Sequence, residues 1–525
     1  MATLAKHLCP DMYKYIRGQV REITVIYSGW VDLNRKVSLR RQLNAFDVTN
    51  LVVGSIIGAD IYVAAALGAR LVGPASLVIW FIAGAMSIVI ALCFSYCAAI
   101  LPRVGGPYAY AKDAGGPFNG FIVGWALLLA EWFSLAVFPV AFTQYFLSFF
   151  PGLDQFSQIL LKTLFIAIIL VTNVFGVRSA GKFNDVLTIG KLAPLLLLMF
   201  SGLLFIGLRP EMAFPNFHPF VKGNLRDFGE ALVLIFWAYA GFELSTLPAD
   251  EIQNPRKTIP KAIVAGMMIV TGFYLVTNFV IIGTVNEVAL ASSPAPLTVA
   301  AAQIFSSPPS LSQIGSLIVG VGALVSILGA DESGTIGTSR LAFAMSLDGL
   351  LPKAFSRLHS SYHTPYIGLI LLCVTALVAS VIGTLSALIN SSVFLLSFTY
   401  LATCVSTIVL ERKHPQRSPR ASGRLAVPVL GIAFSILLMS QVDWQEILVS
   451  LILLAVGVPL YVFFTPKKEL HNLKEAFLDR DAILERAYDQ GDRFLAHGLR
   501  HIKLLIYRHK GIEKAWSVEE EAPPG

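Results

Sequence analysis

Long apolar stretches alternate with short polar connections over most of this chain. Twelve of the stretches approach or exceed the roughly 20 residues that a helix needs to cross a bilayer. They cover residues 47–71, 75–101, 118–149, 157–177, 185–207, 228–249, 260–284, 313–338, 365–384, 390–410, 425–442 and 444–465. Segments rich in Gly, Pro, Ser and Asn separate them, as expected of loops. The pattern predicts an all-α membrane protein with twelve transmembrane helices, named spans one to twelve below.

Composition and charge support this class. Hydrophobic residues make up 55% of the chain and charged residues 14%, whereas soluble proteins carry about 25% charged residues. Most of the 40 Lys and Arg residues lie on the side of the membrane that holds the N-terminus. Basic residues accumulate in cytoplasmic loops, so we expect both termini in the cytoplasm, and we expect the cell membrane as the location. The net charge of +7 therefore indicates membrane topology rather than nucleic-acid binding.

Three regions follow from this reading. Residues 1–45 are a cytoplasmic N-terminal segment, residues 46–465 the twelve-helix domain, and residues 466–525 a cytoplasmic tail. In the tail, apolar residues at helical spacing between Phe494 and Ile506 alternate with Arg500 and Lys503. This predicts an amphipathic helix on the inner membrane surface. A helix packed on the cytoplasmic loops is an equal alternative.

Span one contains an interruption between Gly54 and Tyr62. Each Gly costs about 1 kcal/mol of helix propensity relative to Ala. Asp60 at bilayer depth costs about 2.5–3.5 kcal/mol more on insertion scales. Backbone groups freed by a broken helix are tolerated in a membrane only beside protein or a watery cavity. The stretch therefore predicts a broken helix that holds a polar ligand near the middle of the membrane.

Span six carries a second interruption, from Phe236 to Glu243 around Gly241. Spans one and six are the corresponding members of two five-span sets, and an odd number of spans makes the second set inverted. Paired, Gly-interrupted segments in inverted halves point to a transporter's binding site. We therefore predict an inverted five-plus-five repeat with broken helices one and six, followed by two extra C-terminal helices.

Several segments resemble sequence motifs of the amino acid–polyamine–organocation superfamily of transporters. They are the glycine-rich break Gly54–Gly58, the "GGxYxY" segment Gly105–Tyr110, and the pairs Gly124–Trp125 and Glu131–Trp132. A further match is the signature after the second break, which consists of Gly241–Glu243, Ala249–Pro255 and Ile259–Ile263. The last matching segments follow span eight and are Ser339–Arg340, Ala344–Met345 and Asp348–Lys353. The resemblance covers roughly residues 42–465 and is most specific after span six.

The resemblance implies alternating access and transport of amino acids or related amines, driven by protons or by exchange. The leading hypothesis is proton-coupled amino acid transport. A polyamine or organic-cation antiporter is the close rival, and a non-transporting nutrient receptor is a third reading. The expected partners are the substrate, protons and the lipid bilayer. We expect no cofactor, and we expect no metal because the histidines form no metal-ligating cluster. We expect no use of ATP because no phosphate-binding loop motif is present. The loop after span three lacks cysteine, so no disulfide-linked heavy chain is expected.

For the substrate, the resemblance implies that a carboxylate binds amides freed around Gly58. A helix N-terminus is a natural site for an anion. In span six, Trp237 and Tyr239 are candidates for an aromatic wall of the site. An ammonium over such rings is stabilised by a cation–π interaction of about 0.5–2 kcal/mol. Aromatic packing between helices is the alternative. The candidate substrate-binding residues are Ser55, Ile56, Ile57, Gly58, Ala59, Asp60, Phe236, Trp237, Ala238, Tyr239 and Ala240.

Asp60 departs from the family pattern, which has glycine at this position. Its carboxylate could cap the second half-helix, pair with a substrate amine, or carry a proton. Capping, with the carboxylate facing away from the substrate, is the favoured reading. If Asp60 instead fills the anion site, a cationic substrate is favoured over a zwitterion.

Charged residues inside the spans are candidates for coupling. The resemblance implies that the ammonium of Lys191 in span five takes the place of the ion in sodium-coupled relatives. A desolvated lysine can release a proton, although a fixed structural cation is the alternative. Glu243 matches a candidate pH-sensing position of related exchangers, and Glu131 is read as structural or gating. Asp331 and Glu332 in span eight match no family pattern, and an ion pair with Lys191 is one hypothesis for them.

Overall fold

The structure of the protein is a computed structural model. The structure describes residues 44–102, 105–175, 177–246, 252–306, 308–362, 364–417 and 425–464. The predicted N-terminal segment, apart from its last two residues, lies outside this part. The predicted C-terminal tail and its amphipathic helix between Phe494 and Ile506 lie outside it entirely.

Helices form all the regular structure assigned within the described residues. They are α1 (Ala45–Ile56), α2 (Ala59–Val72), α3 (Ser76–Ile100), α4 (Pro107–Gly115), α5 (Pro117–Leu147), α6 (Gln155–Val174), α7 (Val177–Leu208), α8 (Pro210–Ala213), α9 (Leu225–Trp237), α10 (Pro255–Thr284), α11 (Glu287–Ser292), α12 (Pro296–Ile304), α13 (Pro309–Leu347), α14 (Tyr366–Ile382), α15 (Leu385–Lys413), α16 (Ala426–Gln441) and α17 (Trp444–Phe464). Short 3-10 turns lie at Gly73–Ala75, Phe214–Phe217, Phe242–Thr246 and Lys353–Ser356.

Eight helical stretches within the described residues are long and apolar enough to cross a membrane by length and composition. Shorter apolar helices are α1, α14 and α16. The predicted all-helical membrane protein is thereby confirmed, whereas the count of twelve spans and the inverted repeat remain predictions.

The first interruption lies between α1 and α2. Ile57 is extended at φ −71° and ψ 98°, and Gly58 precedes α2 at φ −144° and ψ −139°. A Cβ placed on Gly58 would lie 2.5 Å from the Cβ of Ala330 on α13. Glycine is required here because another helix approaches the backbone closely. The predicted break in span one is therefore present.

The second interruption follows α9. The helix ends at Trp237, a turn follows, and a 3-10 turn starts at Phe242. Gly241 has φ +112°, a conformation that side chains rarely adopt, and a Cβ there would lie 2.8 Å from the Ser55 carbonyl oxygen. The two breaks thus contact each other. α1 packs against α10, and α2 packs against α9.

Some connections hold more helix than their composition predicts. The polar segment after span two contains α4, which starts with Pro107 at its first turn and buries Tyr108 and Tyr110. Span eight was predicted to end at residue 338, yet α13 continues to Leu347. Hydropathy marks where lipid ends, while a helix continues until its backbone hydrogen bonds are interrupted. Here the end comes at Gly349, which has φ +77°.

Candidate functional site

A cavity of about 40 Å³ lies between the two broken helices. One water needs roughly 10–15 Å³, so this space suits water rather than an amino acid. The first break, the second break, α5 and α13 each contribute part of the wall. The lining residues are Ser55, Asp60, Glu131, Ser134, Phe138, Trp237, Ala240, Gly241, Glu243, Leu244, Ala330 and Gly334.

Side chains satisfy the carbonyl groups that the breaks release. A helix leaves its last four carbonyls without intrahelical partners. Lys191 Nζ donates to the Gly54 carbonyl at 2.6 Å, and Tyr274 Oη donates to the Ile56 carbonyl at 2.9 Å. Ser55 Oγ donates across the interface to the Gly241 carbonyl at 3.1 Å. The broken segments are therefore held by specific donors rather than by water alone.

Lys191 is buried on α7, with 1% of its surface exposed. Its ammonium bonds the backbone of α1 and lies close enough to Asp60 to interact with its carboxylate electrostatically. Within the described residues, no ion pair joins Lys191 to Asp331 or Glu332, so the hypothesis of such a pair is wrong for this conformation. The structure gives the two acids other partners.

Asp60 does not cap α2. Gly58 is the N-cap residue and makes no side-chain cap bond, while Asp60 stands in the first turn. The favoured capping reading is therefore wrong, because the break ends two residues before the aspartate. Asp60 lines the cavity with 6% of its surface exposed. A carboxylate in the first turn is favourable toward the helix dipole. The Asp60 carboxylate lies beside the backbone amides around Gly58, to which the family resemblance assigns a substrate carboxylate.

A pair of carboxyl groups forms the opposite wall. Glu243 accepts from the Gly241 N–H at 2.9 Å and from Tyr400 Oη at 3.0 Å. The Glu131 side chain lines the same cavity and lies close enough to Glu243 for the two carboxyl groups to interact electrostatically. Two carboxyl groups can form a hydrogen bond only when one of them carries a proton. The pair is thus a candidate place for a proton beside the cavity.

Of the predicted aromatic wall, Trp237 lines the cavity and donates from Nε1 to Ser134 Oγ at 2.9 Å. Tyr239 instead donates to the Trp80 carbonyl at 2.8 Å and packs against the rings of Trp80 and Tyr274. Tyr239 therefore stabilises the scaffold, since the turn after Trp237 directs it away from the cavity.

The structure brings together some of the predicted residues and not others. Ser55, Asp60, Trp237, Ala240 and Glu243 share the cavity. The remaining predicted substrate residues lie in the broken segments but outside its lining. They are Ile56, Ile57, Gly58, Ala59, Phe236, Ala238 and Tyr239.

Asp331 and Glu332 lie on α13 but outside the cavity lining. Glu332 accepts from Thr172 Oγ1 at 2.7 Å and from Asn173 Nδ2 at 2.9 Å, both on α6. Asp331 Oδ2 and Glu332 Oε1 lack a hydrogen-bond partner within the described residues. Ala330 and Gly334 of the same helix face the cavity. Glu332 therefore lies on the side of α13 opposite the cavity, and Asp331 lies on the flank between the two faces.

Sequence reasoning missed the contributions of α5 and α13 to the wall. Glu131, Ser134 and Phe138 follow one another at spacings of three and four, which places them on one helix face. That stripe of polar and aromatic residues in an apolar span was the available signal. Ala330 and Gly334 carried no signal beyond their small size.

Comparison with known proteins shows the family of the chain. The family model described as "Amino acid permease" matches residues 43–474. The branched-chain amino acid permease BcaP of Bacillus subtilis (strain 168) is 27% identical over 459 residues, which are 82% of this chain and 94% of BcaP. The methylthioribose transporter of the same organism is 28% identical, covering 84% of this chain and 96% of its own.

A human relative extends the comparison. The large neutral amino acids transporter small subunit 2 of Homo sapiens is 28% identical over 441 residues, or 81% of this chain and 80% of the relative. The family and these relatives are transporters, not enzymes. Together with the apolar helices, the match over most of the chain shows that this integral, multi-pass membrane protein belongs to the amino acid permease family.

Proposed function

We propose that this protein is a secondary active transporter of amino acids that works by alternating access. The observation that supports it best is the cavity enclosed by both broken segments. A site between two helix breaks can open to either side when the helices around it rock. The small cavity then corresponds to a closed conformation. The proposal includes twelve spans in an inverted five-plus-five repeat with two extra C-terminal helices, and cytoplasmic termini in the cell membrane.

We further propose proton coupling through the groups around the cavity. Lys191 bonds the Gly54 carbonyl of the first break, so loss of its proton would remove a donor that holds this segment. The Glu131–Glu243 pair holds a proton beside the second break, where Glu243 also accepts from the Gly241 amide. Protonation at these positions therefore changes hydrogen bonds that fix the moving backbone. Asp331 and Glu332 of α13 are proposed as secondary coupling groups outside the cavity lining.

The relatives' names bear on the substrate class. Branched-chain and large neutral amino acids appear among them, which supports a neutral amino acid. Its carboxylate would meet the amides that start α2, and its ammonium would lie toward Trp237 and the carboxyl pair. A cation antiporter stays as the second candidate because three carboxyl groups, those of Asp60, Glu131 and Glu243, line the cavity.

The Asp60→Asn variant distinguishes the two candidates. For a transporter of neutral amino acids, removal of the negative charge beside the α2 amides is expected to lower KM about fivefold, a change of roughly 1 kcal/mol. For a cation transporter the same variant loses affinity for amines. Competition of leucine and of putrescine against labelled substrate in proteoliposomes measures both. Asp227→Asn, which alters a first-turn acid of α9 away from the cavity, is the control. Unchanged affinity for every ligand would return Asp60 to a structural role.

The Glu243→Gln variant tests the carboxyl pair. Gln keeps a hydrogen-bonding side chain but cannot release a proton, so we expect loss of accumulation driven by a pH gradient with retention of substrate counterflow. Glu131→Gln is expected to behave alike because both groups share the proton. Glu230→Gln on α9, outside the cavity lining, is the control. Wild-type accumulation by both cavity variants would exclude the pair from coupling.

A further inference from the structure

A second, larger cavity lies at the end of the bundle where α2 ends. Its volume is about 350 Å³, within the range of roughly 300–1,000 Å³ typical of sites for small molecules. It is bounded by α2, α5, the segment from α11 to α12, and the start of α15. The lining residues are Val63, Ala66, Leu67, Arg70, Gln144, Ala291, Ser292, Ser293, Pro294, Pro296, Thr384, Leu385 and Ser386. We call it the mouth cavity.

The charge of the mouth cavity is opposite to that of the central one. Arg70 is the single charged residue among its lining residues, which otherwise offer an amide and several hydroxyl groups. The Arg70 side chain is exposed, and within the described part of the chain no ion pair or hydrogen bond engages its guanidinium. The central cavity, in contrast, is lined by the carboxyl groups of Asp60, Glu131 and Glu243.

The two cavities share the same helices. Asp60 and Arg70 are both on α2, about 15 Å apart along its axis at 1.5 Å per residue. Phe138 lines the central cavity and Gln144 lines the mouth cavity, and both are on α5. The Tyr145 hydroxyl on α5 donates to the Tyr62 carbonyl on α2 at 2.7 Å, and the two rings meet edge to face. This tyrosine pair therefore joins α2 and α5, the two helices that line both cavities.

We propose that the mouth cavity is a first binding site for the carboxylate of an arriving amino acid. A guanidinium presents planar paired donors that match a carboxylate, and Gln144 and the serine hydroxyls can complete its hydrogen bonds. The same charge disfavours polyamines, which lack a carboxylate. The site thus selects zwitterions before the acidic central cavity is reached. This inference rests on the proposed function and on the proposed orientation, in which the mouth cavity faces outward.

Kinetics of Arg70 variants give the first test. In proteoliposomes, Arg70→Gln is expected to raise the KM for leucine about tenfold while the maximal rate stays within about twofold, since the loss is in capture and not in translocation. Arg70→Lys should restore part of the affinity. Arg209→Gln, which removes another exposed cation outside the cavity lining, is the control. Equal KM values for wild type and Arg70→Gln would overturn the proposal.

A reporter thiol gives the second test without requiring transport. Ser292→Cys places a thiol in the mouth cavity, and the four cysteines of the described residues are all buried. Leucine should slow labelling by a membrane-impermeant methanethiosulfonate, whereas leucinamide, which lacks the carboxylate, should not. The protection should disappear when Arg70→Gln is added. Equal protection by both compounds, or equal protection in both backgrounds, would refute carboxylate binding here. Normal leucine uptake in that case would leave the proposed function standing.

Discussion

Replacing Gly241 by alanine is expected to reduce the initial rate of uptake by about 10- to 100-fold. The residue has φ +112°, and a Cβ would lie 2.8 Å from the Ser55 carbonyl oxygen of the other broken segment. A non-glycine residue in such a conformation costs about 1–3 kcal/mol, and each 1.4 kcal/mol is a factor of ten. The backbone must shift to relieve the contact, which displaces the hydrogen bond from Ser55 Oγ to the Gly241 carbonyl.

Initial uptake of labelled leucine, normalised to reconstituted protein, measures this effect. Gly272→Ala is the matched control, because no heavy atom lies within 4 Å of a Cβ at that position on α10. We expect the control to transport at the wild-type rate. A Gly241→Ala protein that does the same would show that the close contact between the two breaks is dispensable.

Lys191→Ala is expected to abolish transport and to lower stability by about 3–5 kcal/mol, the usual cost of removing one partner from a buried charge interaction. The variant leaves the Gly54 carbonyl without its donor and Asp60 without its nearest cation. Thermal unfolding in detergent measures the stability, and uptake measures the transport. Wild-type unfolding and uptake in Lys191→Ala would contradict both assigned contacts.

Lys191→Arg separates a fixed cation from a proton carrier. Arginine keeps the positive charge but does not release its proton in proteins. We expect a folded protein that exchanges substrate yet no longer accumulates it against a gradient. Lys162→Arg is the control, since Lys162 is a lysine of α6 that bonds the Ser380 carbonyl at 2.6 Å away from the breaks. Full accumulation by Lys191→Arg would assign Lys191 a purely structural role.

The breaks were predictable from the sequence because their causes are local. Gly58 and Gly241 interrupt apolar runs, and the backbone bends where they stand. The orientation of neighbouring side chains was not predictable in the same way. Trp237 and Tyr239 are two residues apart, but one faces the cavity and the other packs on Trp80, since the turn between them has no repeating geometry.

Pairings across the fold were also beyond the sequence. Glu131 and Glu243 lie on different helical segments, and nothing near either residue indicates a partner. The role of Asp60 depends on where α2 begins. The helix has its N-cap at Gly58, two residues before Asp60, so Asp60 lines the cavity instead of capping the helix. An ion pair between Lys191 and Asp331 or Glu332 was likewise compatible with the sequence. In the structure, Glu332 points toward α6 instead.

Uptake of leucine into proteoliposomes under an imposed inward proton gradient tests the proposed transport most directly. The same vesicles receive an inward sodium gradient, or no gradient, as separate arms, and putrescine is assayed in parallel. We expect leucine to accumulate above its external concentration with the proton gradient and to equilibrate only under the other two conditions. Accumulation with sodium alone, uptake of putrescine but not leucine, or binding without accumulation would contradict proton-coupled amino acid transport through this site.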